Sequence, residues 1–273
     1  MCNQKIWFKR WITEGYSVRQ LSKQSGLSLK KMKEIKSYWM SQEPPTLTTS
    51  FETARYLIFD ATYFNHERCV MVIRDSESRK VISTQYAVRE DYAHTIDWFR
   101  YLQRQGLTPY SVTMDGQLKV IRAMTEVWSA CIIQRCTYHI QQQGESWLRR
   151  YPKTQLARDL KSIIHKLSSI DTEHDRDIWH ELFLSWRAFY SQQLQLLNPK
   201  DAIEGDTIHA YRVIENAYPN MFHYLTEKRV PRTSNALEGY FSHLKRLYRN
   251  HAGLRKIHLN QYLSWYIFFK NMS

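Results

Sequence analysis

The chain has 273 residues, of which 39 are Lys or Arg and 26 are Asp or Glu, so its formal charge at pH 7 is +13. Hydrophobic residues make up 43% of it, which is enough to bury a core and excludes a wholly disordered chain. Apolar runs of the roughly 18 residues that a membrane-spanning helix needs are absent from the sequence, and so is a secretory signal segment. The cysteines form no CxxC pair, which argues against a disulfide framework or a zinc ribbon. The composition predicts a soluble protein that neither enters a membrane nor is secreted.

The positive charge is concentrated at the two ends of the chain. Residues 1–45 contain nine basic and three acidic residues, residues 46–225 contain 21 of each, and residues 226–273 contain nine basic and two acidic residues. A neutral middle between two basic ends predicts contact with a polyanion, and nucleic acid is the first candidate. The alternative is a solvated surface whose charge only keeps the protein soluble.

The N-terminal region predicts two short helices separated by a turn. Ser17 can cap a first helix that runs to about Lys23. Gly26 can adopt a positive φ in the turn, and Ser28 can cap a second helix over Leu29–Met40. This spacing resembles the helix-turn-helix of bacterial repressors and resolvases. An earlier helix could complete a three-helix core with the apolar residues Ile6, Trp7 and Trp11.

The second of these helices begins with a basic face. Its candidate DNA contacts are Ser28, Lys30, Lys31 and Lys33, because hydroxyl and ammonium groups suit phosphates and base edges in the major groove. The alternative is an ordinary helical hairpin with a solvated lysine face. We therefore predict a helix-turn-helix DNA-binding domain over residues 1–43, followed by a proline-stiffened linker over residues 44–54.

The middle of the chain predicts a mixed α/β domain. Apolar and β-branched runs predict strands over residues 55–64, 68–74, 80–88, 110–114 and 131–135. Amphipathic patterns predict helices over residues 94–105 and 119–128. The resulting order, strand–strand–strand–helix–strand–helix–strand, is that of the RNase H-like fold.

Two acidic residues stand out against this pattern. Asp60 lies inside an apolar strand, where an ionised carboxylate is costly unless it is paired or coordinates a metal. Asp115 follows the strand expected to lie beside it, so the two carboxylates could share divalent ions. The alternatives are a structural ion pair for Asp60 and a simple Asp-Gly turn for Asp115.

Four motifs together resemble the Mutator-like group of DDE transposases, which includes many bacterial insertion-sequence transposases. They are FDATYF, TMDG, CTYH and RTSNALEGYFSHLKR, in that order along the chain. The resemblance implies an RNase H-like catalytic domain with an all-helical insertion. By the same match it implies catalytic, metal-binding roles for Asp60, Asp115 and Glu238 and a supporting role for Cys136 and His139. Some relatives have an N-terminal zinc-binding segment, for which this chain has no matching cysteine spacing.

The same resemblance implies how the rest of the chain is divided. The catalytic core would occupy residues 55–140 and continue over residues 227–273, with the helical insertion over residues 141–226. Within the insertion, apolar spacing predicts a long amphipathic helix whose apolar side includes Ile178, Leu182, Trp186, Phe189 and Leu197.

The last motif places an acid in a basic segment. Without the resemblance, Glu238 reads as a first-turn acid that complements a helix dipole, and Cys136 and His139 read as packing residues, since two ligands cannot close a zinc site. The surrounding cations are candidates for DNA-phosphate contact, namely Arg232, Lys245, Arg246 and Arg249.

The resemblance implies metal-dependent DNA strand cleavage at the ends of a mobile element and strand transfer into target DNA. It implies two Mg²⁺ or Mn²⁺ ions as cofactors, terminal inverted repeats and target DNA as partners, and a homo-oligomer acting on paired ends. A cytoplasmic location follows, at the nucleoid if the source is bacterial. The alternatives are a non-catalytic DNA-binding regulator derived from a transposase, and an RNase H-like nuclease without strand transfer.

Overall fold

A computed structural model describes residues 2–45, 51–64, 68–251 and 254–272 of the chain. The described residues include a five-stranded mixed sheet. Its strands are β1 Tyr56–Phe64, β2 Arg68–Asp75, β3 Val81–Ala87, β4 Ser111–Met114 and β5 Ile132–Arg135. Each strand begins and ends within one residue of the bounds predicted from the sequence. The predicted linker falls partly on residues 46–50, which lie outside the described residues.

The strands stand in the order β3-β2-β1-β4-β5. β1, β2 and β3 form an antiparallel meander, whereas β4 pairs parallel to β1 and β5 pairs parallel to β4. Parallel neighbours need a crossover connection, and helices α4 Tyr92–Arg104 and α5 Leu118–Val127 provide it. The mixed α/β class and the order of elements predicted from the sequence are confirmed.

The sheet is covered on both faces, as the alternation of side chains along β1 shows. Leu57 and Phe59 belong to a core that also contains Phe99 of α4 and Val120 of α5. Ile58, between them, belongs to a different core on the opposite face. Because successive side chains of a strand point to opposite faces, an apolar run such as β1 is expected where both faces are buried.

The core on the opposite face is shared by helices from both ends of the chain. These helices are α1 Cys2–Glu14, α2 Val18–Ser25, α3 Leu29–Met40, α12 Asn235–Arg249 and α13 Leu259–Asn271. Their shared core joins Phe8 of α1 to Trp265 of α13 and to Ile58 of β1. The rings of Phe8 and Trp265 meet edge to face with centroids 5.2 Å apart. The N-terminal helices and the C-terminal helices therefore bury their apolar sides together.

Local interactions fix the ends of the N-terminal helices as predicted. Ser17 caps α2 in a reciprocal capping box with Gln20, and the hydroxyl of Ser28 accepts a hydrogen bond from the Lys31 amide. Gly26 ends α2 at φ +72°, a conformation that favours glycine. In α1 the expected core position Ile6 is 52% exposed, and its place is taken by Phe8.

The segment after β5 is helical. Its helices are α6 Thr137–Leu148, α7 Gln155–His165, α8 Glu173–Phe189, α9 Ser191–Leu196, α10 Ala202–Ala217 and α11 His223–Thr226, with 3₁₀ turns at Lys166–Ser169 and Tyr218–Asn220. A further 3₁₀ turn, Lys256–His258, precedes α13. Residues 137–251 are all described and contain no strand, which agrees with the sequence-based expectation of a helical segment. These helices form a core of their own around α7, α8 and α10.

The buried side of α8 differs from the predicted one. Trp179, Phe183 and Trp186 are buried, whereas Ile178 is 54% and Phe189 is 80% exposed. The predicted helix is present but shorter than expected, since it ends at Phe189 and Leu197 follows the separate helix α9. Within α8, Ile178, Leu182 and Phe189 each lie one position before a buried residue, and only Trp186 was assigned to the correct side. The physical reason is that α8 carries apolar residues around most of its circumference, so packing against α7 and not spacing alone selects the buried side.

Two expectations from the composition concern membranes and cysteines. In the ranges that the structure describes, every helix is too short or too polar to cross a membrane. Cys69, Cys131 and Cys136 are free thiols. The absence of a disulfide among these three agrees with the absence of a disulfide pattern in the sequence.

The shared core predicts that the N-terminal helices and the sheet unfold together. Phe8→Ala removes a ring that is 1% exposed and contacts Trp11, Trp39, Trp265 and Phe269. We expect it to lower the free energy of unfolding by about 3–5 kcal/mol in a single urea transition followed by circular dichroism. Tyr101→Ala, at a half-exposed position of α4, is the control and should change it by less than about 0.5 kcal/mol. A separate early transition of the N-terminal helices would contradict this expectation.

Candidate active site

The register of β1 and β4 brings Asp60 and Asp115 together. The two strands pair in parallel with Ile58 opposite Thr113. Asp60 and Asp115 each lie two residues further along their strands, so they occupy equivalent places where the β4 pairing ends. The carboxyl ends of parallel strands commonly form binding sites in α/β proteins. The sequence-based expectation that the two acids are neighbours agrees with this geometry.

The surroundings of Asp60 disfavour a negative charge on its carboxylate. Its carboxylate is partly buried and accepts a hydrogen bond of 2.8 Å from the Ala61 amide. Burial, opposed in part by that hydrogen bond and by His139, raises the pKa of Asp60 to about 6, and the charges of Asp115 and Glu238 add to the rise. Asp115 and Glu238 are therefore each close enough to repel a charge on Asp60.

Glu238 reaches this site from the far end of the chain. It lies in the first turn of α12, where its carboxylate Oε1 is 2.8 Å from Nε2 of His139. His139 lies in the first turn of α6, so this ion pair joins α12 to the helix that follows β5. Nδ1 on the other side of the His139 ring is 3.3 Å from the hydroxyl of Ser234.

Cys136 and Ser234 hold the two helix starts together. The buried Sγ of Cys136 accepts a hydrogen bond of 3.3 Å from the Ser234 amide. Ser234 stands at the N-cap position of α12 but makes no side-chain cap, because its hydroxyl contacts His139 instead. The hydrogen bond to Cys136 and the charges of Asp60 and Glu238 raise the pKa of His139 to about 9 despite burial. The imidazole is therefore a cation at neutral pH and an anchor for Glu238.

The acids suit a divalent cation by their chemistry but do not form a finished metal site. Carboxylate oxygens are the ligands that Mg²⁺ and Mn²⁺ prefer, and the mutual repulsion at Asp60 is what a bound cation would relieve. Among the described residues, however, no three His, Cys, Asp or Glu side chains are arranged to hold one ion. In this arrangement the Glu238 carboxylate is paired with the His139 cation.

The sequence reasoning missed a fourth acid near these residues. Burial raises the pKa of Glu90 to about 7, with further contributions from the charges of Asp115 and Asp60. Its amide donates a hydrogen bond of 3.3 Å to the Tyr63 hydroxyl near the end of β1. Glu90 lies in the connection between β3 and α4, and nothing in its local sequence distinguishes it from a surface acid. Only the topology brings it towards Asp60.

The predicted DNA-contacting cations occupy different environments. Lys245 lies near Asp60, whose charge opposes the lowering of its pKa by burial and Arg249, and its Nζ is 5.8 Å from the Phe64 ring centroid. Arg246 and Arg249 are exposed on α12. Arg232 is different, because its guanidinium donates to Thr137, to the carboxylate of Asp171 and to the Leu167 carbonyl. These contacts tie the helical segment to the start of α12, so Arg232 has a structural role whether or not it also meets DNA.

The lysines of α3 are arranged as an open surface. Lys30, Lys31 and Lys33 are exposed, and Lys31 is 3.6 Å from the carboxylate of Glu34. Ser28 is also exposed, and its hydroxyl is used in capping α3. The opposite side of the helix is buried through Met32 and Ile35. This is the arrangement expected of a helix that presents one charged face to a partner.

A model of a known family matches most of this chain. The family is described as "Transposase, Mutator family", and the match covers residues 49–249. Since this is well over half of the chain, the chain belongs to the Mutator family of transposases. The resemblance based on the four sequence motifs is confirmed.

More distant comparisons add little. The chain is similar to a chain in the cryo-electron microscopy structure of a simian T-cell lymphotropic virus intasome in complex with the PP2A regulatory subunit B56 gamma. The identity is 14%, the match covers 69% of this chain and 58% of that chain, and the TM-score is 0.25. A similarity this low shows neither a shared fold nor a shared function. Among curated proteins, none matches this chain.

The raised pKa of Asp60 makes a prediction for Asp60→Asn in metal-free protein. The unfolded carboxyl ionises near its ordinary pKa of 3.8, whereas the folded one ionises near 6. As the pH rises through this window, the unfolded state ionises first, so the wild type loses stability relative to the variant. We expect Asp60→Asn to be more stable by on the order of 2–3 kcal/mol at pH 8 and nearly equal at pH 4.

Urea unfolding in EDTA at the two pH values measures this difference. Asp97→Asn is the matched control, since Asp97 is an exposed residue of α4 and its replacement should produce a small difference at both pH values. An Asp60→Asn effect that does not change with pH would contradict the assigned environment of Asp60.

Proposed function

We propose that this chain is a DDE transposase that cleaves DNA strands at the ends of a mobile element and transfers them into target DNA. The observation that carries the proposal is the parallel register that sets Asp60 beside Asp115, with Glu238 brought to them by α12. The family membership supports transposase activity in general. The sheet order β3-β2-β1-β4-β5 with two crossover helices supports an RNase H-like catalytic fold.

In this proposal Asp60, Asp115 and Glu238 hold two Mg²⁺ or Mn²⁺ ions. Bound there, the ions would supply activation of a water or a DNA 3′-hydroxyl and stabilisation of the departing 3′-oxygen. Asp60 provides a partly buried carboxylate that is poorly stabilised without a cation. One carboxylate oxygen of Glu238 contacts the His139 imidazole, so in this proposal the other oxygen binds the ion.

His139 is then a positioning residue. With its ring fixed by Ser234 and by the neighbouring Cys136, it holds the first turn of α12 beside the sheet. Its positive charge lies beside the Glu238 carboxylate, with Nε2 2.8 Å from Oε1. This gives the Cys-x-x-His motif a supporting role that needs no zinc.

The basic regions provide the DNA contacts in this proposal. The Ser28-capped helix α3, preceded by α2 and the Gly26 turn, is proposed to act as a helix-turn-helix that recognises terminal inverted repeats. Lys245, Arg246 and Arg249 of α12 are proposed to bind the DNA backbone beside the acids. We assign residues 1–43 to DNA recognition, residues 55–140 and 227–273 to catalysis and residues 141–226 to the insertion. A homo-oligomer would hold paired ends.

The decisive experiment is cleavage and joining of DNA that carries the inverted repeats flanking the coding region. We expect the wild type to nick this DNA with Mg²⁺ or Mn²⁺ and to join a pre-cleaved 3′-end to a target. Asp60→Asn, Asp115→Asn and Glu238→Gln should each reduce both rates by at least 100-fold, because each removes a carboxylate ligand. Asp97→Asn should leave both rates within twofold.

The outcomes separate the alternatives. Metal-dependent cleavage without joining would indicate a nuclease, and specific binding without cleavage would indicate a DNA-binding regulator. Full activity of Asp60→Asn would show that the catalytic assignment is wrong.

The α3 surface makes a separate prediction. Replacing Lys30, Lys31 and Lys33 by Gln should weaken binding to the inverted repeat by at least tenfold at 0.1 M salt, because up to three phosphate contacts are lost. The slope of log affinity against log salt should fall by about 2–3. The matched control replaces three exposed lysines of the helical segment by Gln, namely Lys153, Lys166 and Lys200. Equal losses in both triple variants would indicate a general charge effect and contradict recognition by α3.

A further inference from the structure

A cavity of about 640 Å³ opens beside Asp115. Its wall is formed by the turn after β4, the end of β5 and the exposed side of α6. Most of the side chains in this wall are polar, and they include Gln117, Arg135, Gln142 and Gln143. Since Asp115 belongs to both the cavity and the candidate active site, a ligand in the cavity would lie next to the reacting groups.

Arg135 is a buried cation in the wall of the cavity. It is only 7% exposed, and its Nε has no hydrogen-bond acceptor. Among the described residues, no carboxylate oxygen lies within 4.0 Å of its guanidinium, although Asp115 is near enough to influence its pKa. A buried cation without an anion is strongly unfavourable, so the arrangement is incomplete as it stands.

The absence of a side chain at Gly116 makes room for the guanidinium of Arg135. A Cβ atom at position 116 would be 2.1 Å from Nη2 of Arg135 and 2.8 Å from its Cζ. The guanidinium therefore rests against the backbone of the turn that follows Asp115. Only glycine leaves room for this approach, so the turn and the arginine form one preorganised unit.

We propose that Arg135 binds a phosphate of the DNA strand whose neighbouring phosphodiester is presented to Asp60 and Asp115, and that the cavity holds the attached nucleotide. A guanidinium is the side chain best suited to a phosphate, because its donors match two oxygens at once. The amides of Gln142 and Gln143 offer hydrogen bonds to a base.

This inference rests on the proposed function, since it takes DNA as the polyanion. A free nucleotide would present the same phosphate and base. Asp115 and Arg135 line the same cavity. This arrangement favours a DNA strand over a free nucleotide, because a strand can place one phosphate on Arg135 and the next within reach of Asp115.

The test measures binding of a fluorescently labelled single-stranded 12-nucleotide DNA by polarisation, in EDTA so that no cleavage can occur. We expect Arg135→Met to weaken binding at least tenfold and to reduce the salt slope by about 0.7. Gly116→Ala, which keeps the cation but displaces it, should also weaken binding. Arg104→Met is the matched control, because Arg104 is exposed on α4, and it should bind within twofold of the wild type.

A thermal unfolding scan of each variant separates a ligand contact from a structural one. Arg135→Met should unfold at the same temperature as the wild type or higher, since it removes an unpaired buried charge. Unchanged DNA binding by Arg135→Met, or a fall of more than about 5 °C in its unfolding midpoint, would overturn the proposal. Competition by free dTMP as strong as by the oligonucleotide would overturn the assignment to a DNA strand.

The result is independent of the cleavage experiment. If the wild type binds DNA through Arg135 but does not cleave it, this inference holds and the proposed chemistry is wrong. If Arg135→Met cleaves and joins DNA like the wild type, this inference is wrong and the proposed chemistry holds.

Discussion

Two carboxylates lie close together just beyond the parallel pairing of β1 with β4, and much of the surrounding structure makes that arrangement tolerable. Asp60 is partly buried within the apolar strand β1, and its ionisation is opposed by burial and by Asp115. The imidazolium of His139 partly offsets the negative charge. A site that is electrostatically unfavourable when empty is typical of functional sites, where stability is exchanged for affinity or reactivity.

The same imidazole also joins parts of the chain that are far apart in sequence. His139 and Glu238 are in contact although 99 positions separate them, because the helical segment between them folds into its own core and returns the chain to the sheet. The bond from the Ser234 amide to Cys136 and the contacts of Arg232 with Thr137 and Asp171 secure that return. Substitutions on the surface of the helical segment should therefore leave the position of Glu238 unchanged, provided that these contacts remain.

Packing links DNA recognition to the catalytic side of the molecule in the proposed scheme. The N-terminal helices share a core with α12 and α13, in which Phe8 meets Trp265 and the Trp265 indole donates to carbonyls of Trp39 and Gln42. Glu238 stands at one end of α12. In the proposed scheme, a movement of the N-terminal helices on binding DNA would therefore shift α12, the helix that carries Glu238.

Local sequence patterns were sufficient to predict the helices and strands. They failed to predict which face of an amphipathic helix is buried. Strand bounds, the caps at Ser17 and Ser28 and the positive φ of Gly26 depend on neighbouring residues, and these predictions are confirmed. The buried side of α8 depends on what packs against it, and the prediction there was wrong for most residues. The candidate acids were found because an Asp in an apolar strand is unusual and because the motifs resemble a known family.

The sequence by itself determined the class of the fold, the order of its elements and the family to which the chain belongs, since all three are carried by residue types and their spacing. Only the tertiary structure decided that Glu238 is engaged by His139, that Glu90 lies near Asp60, and that Arg135 is a buried cation in the wall of the cavity. These are relations between side chains brought together by chain crossovers, and their energies depend on distance and burial, which a linear sequence does not contain.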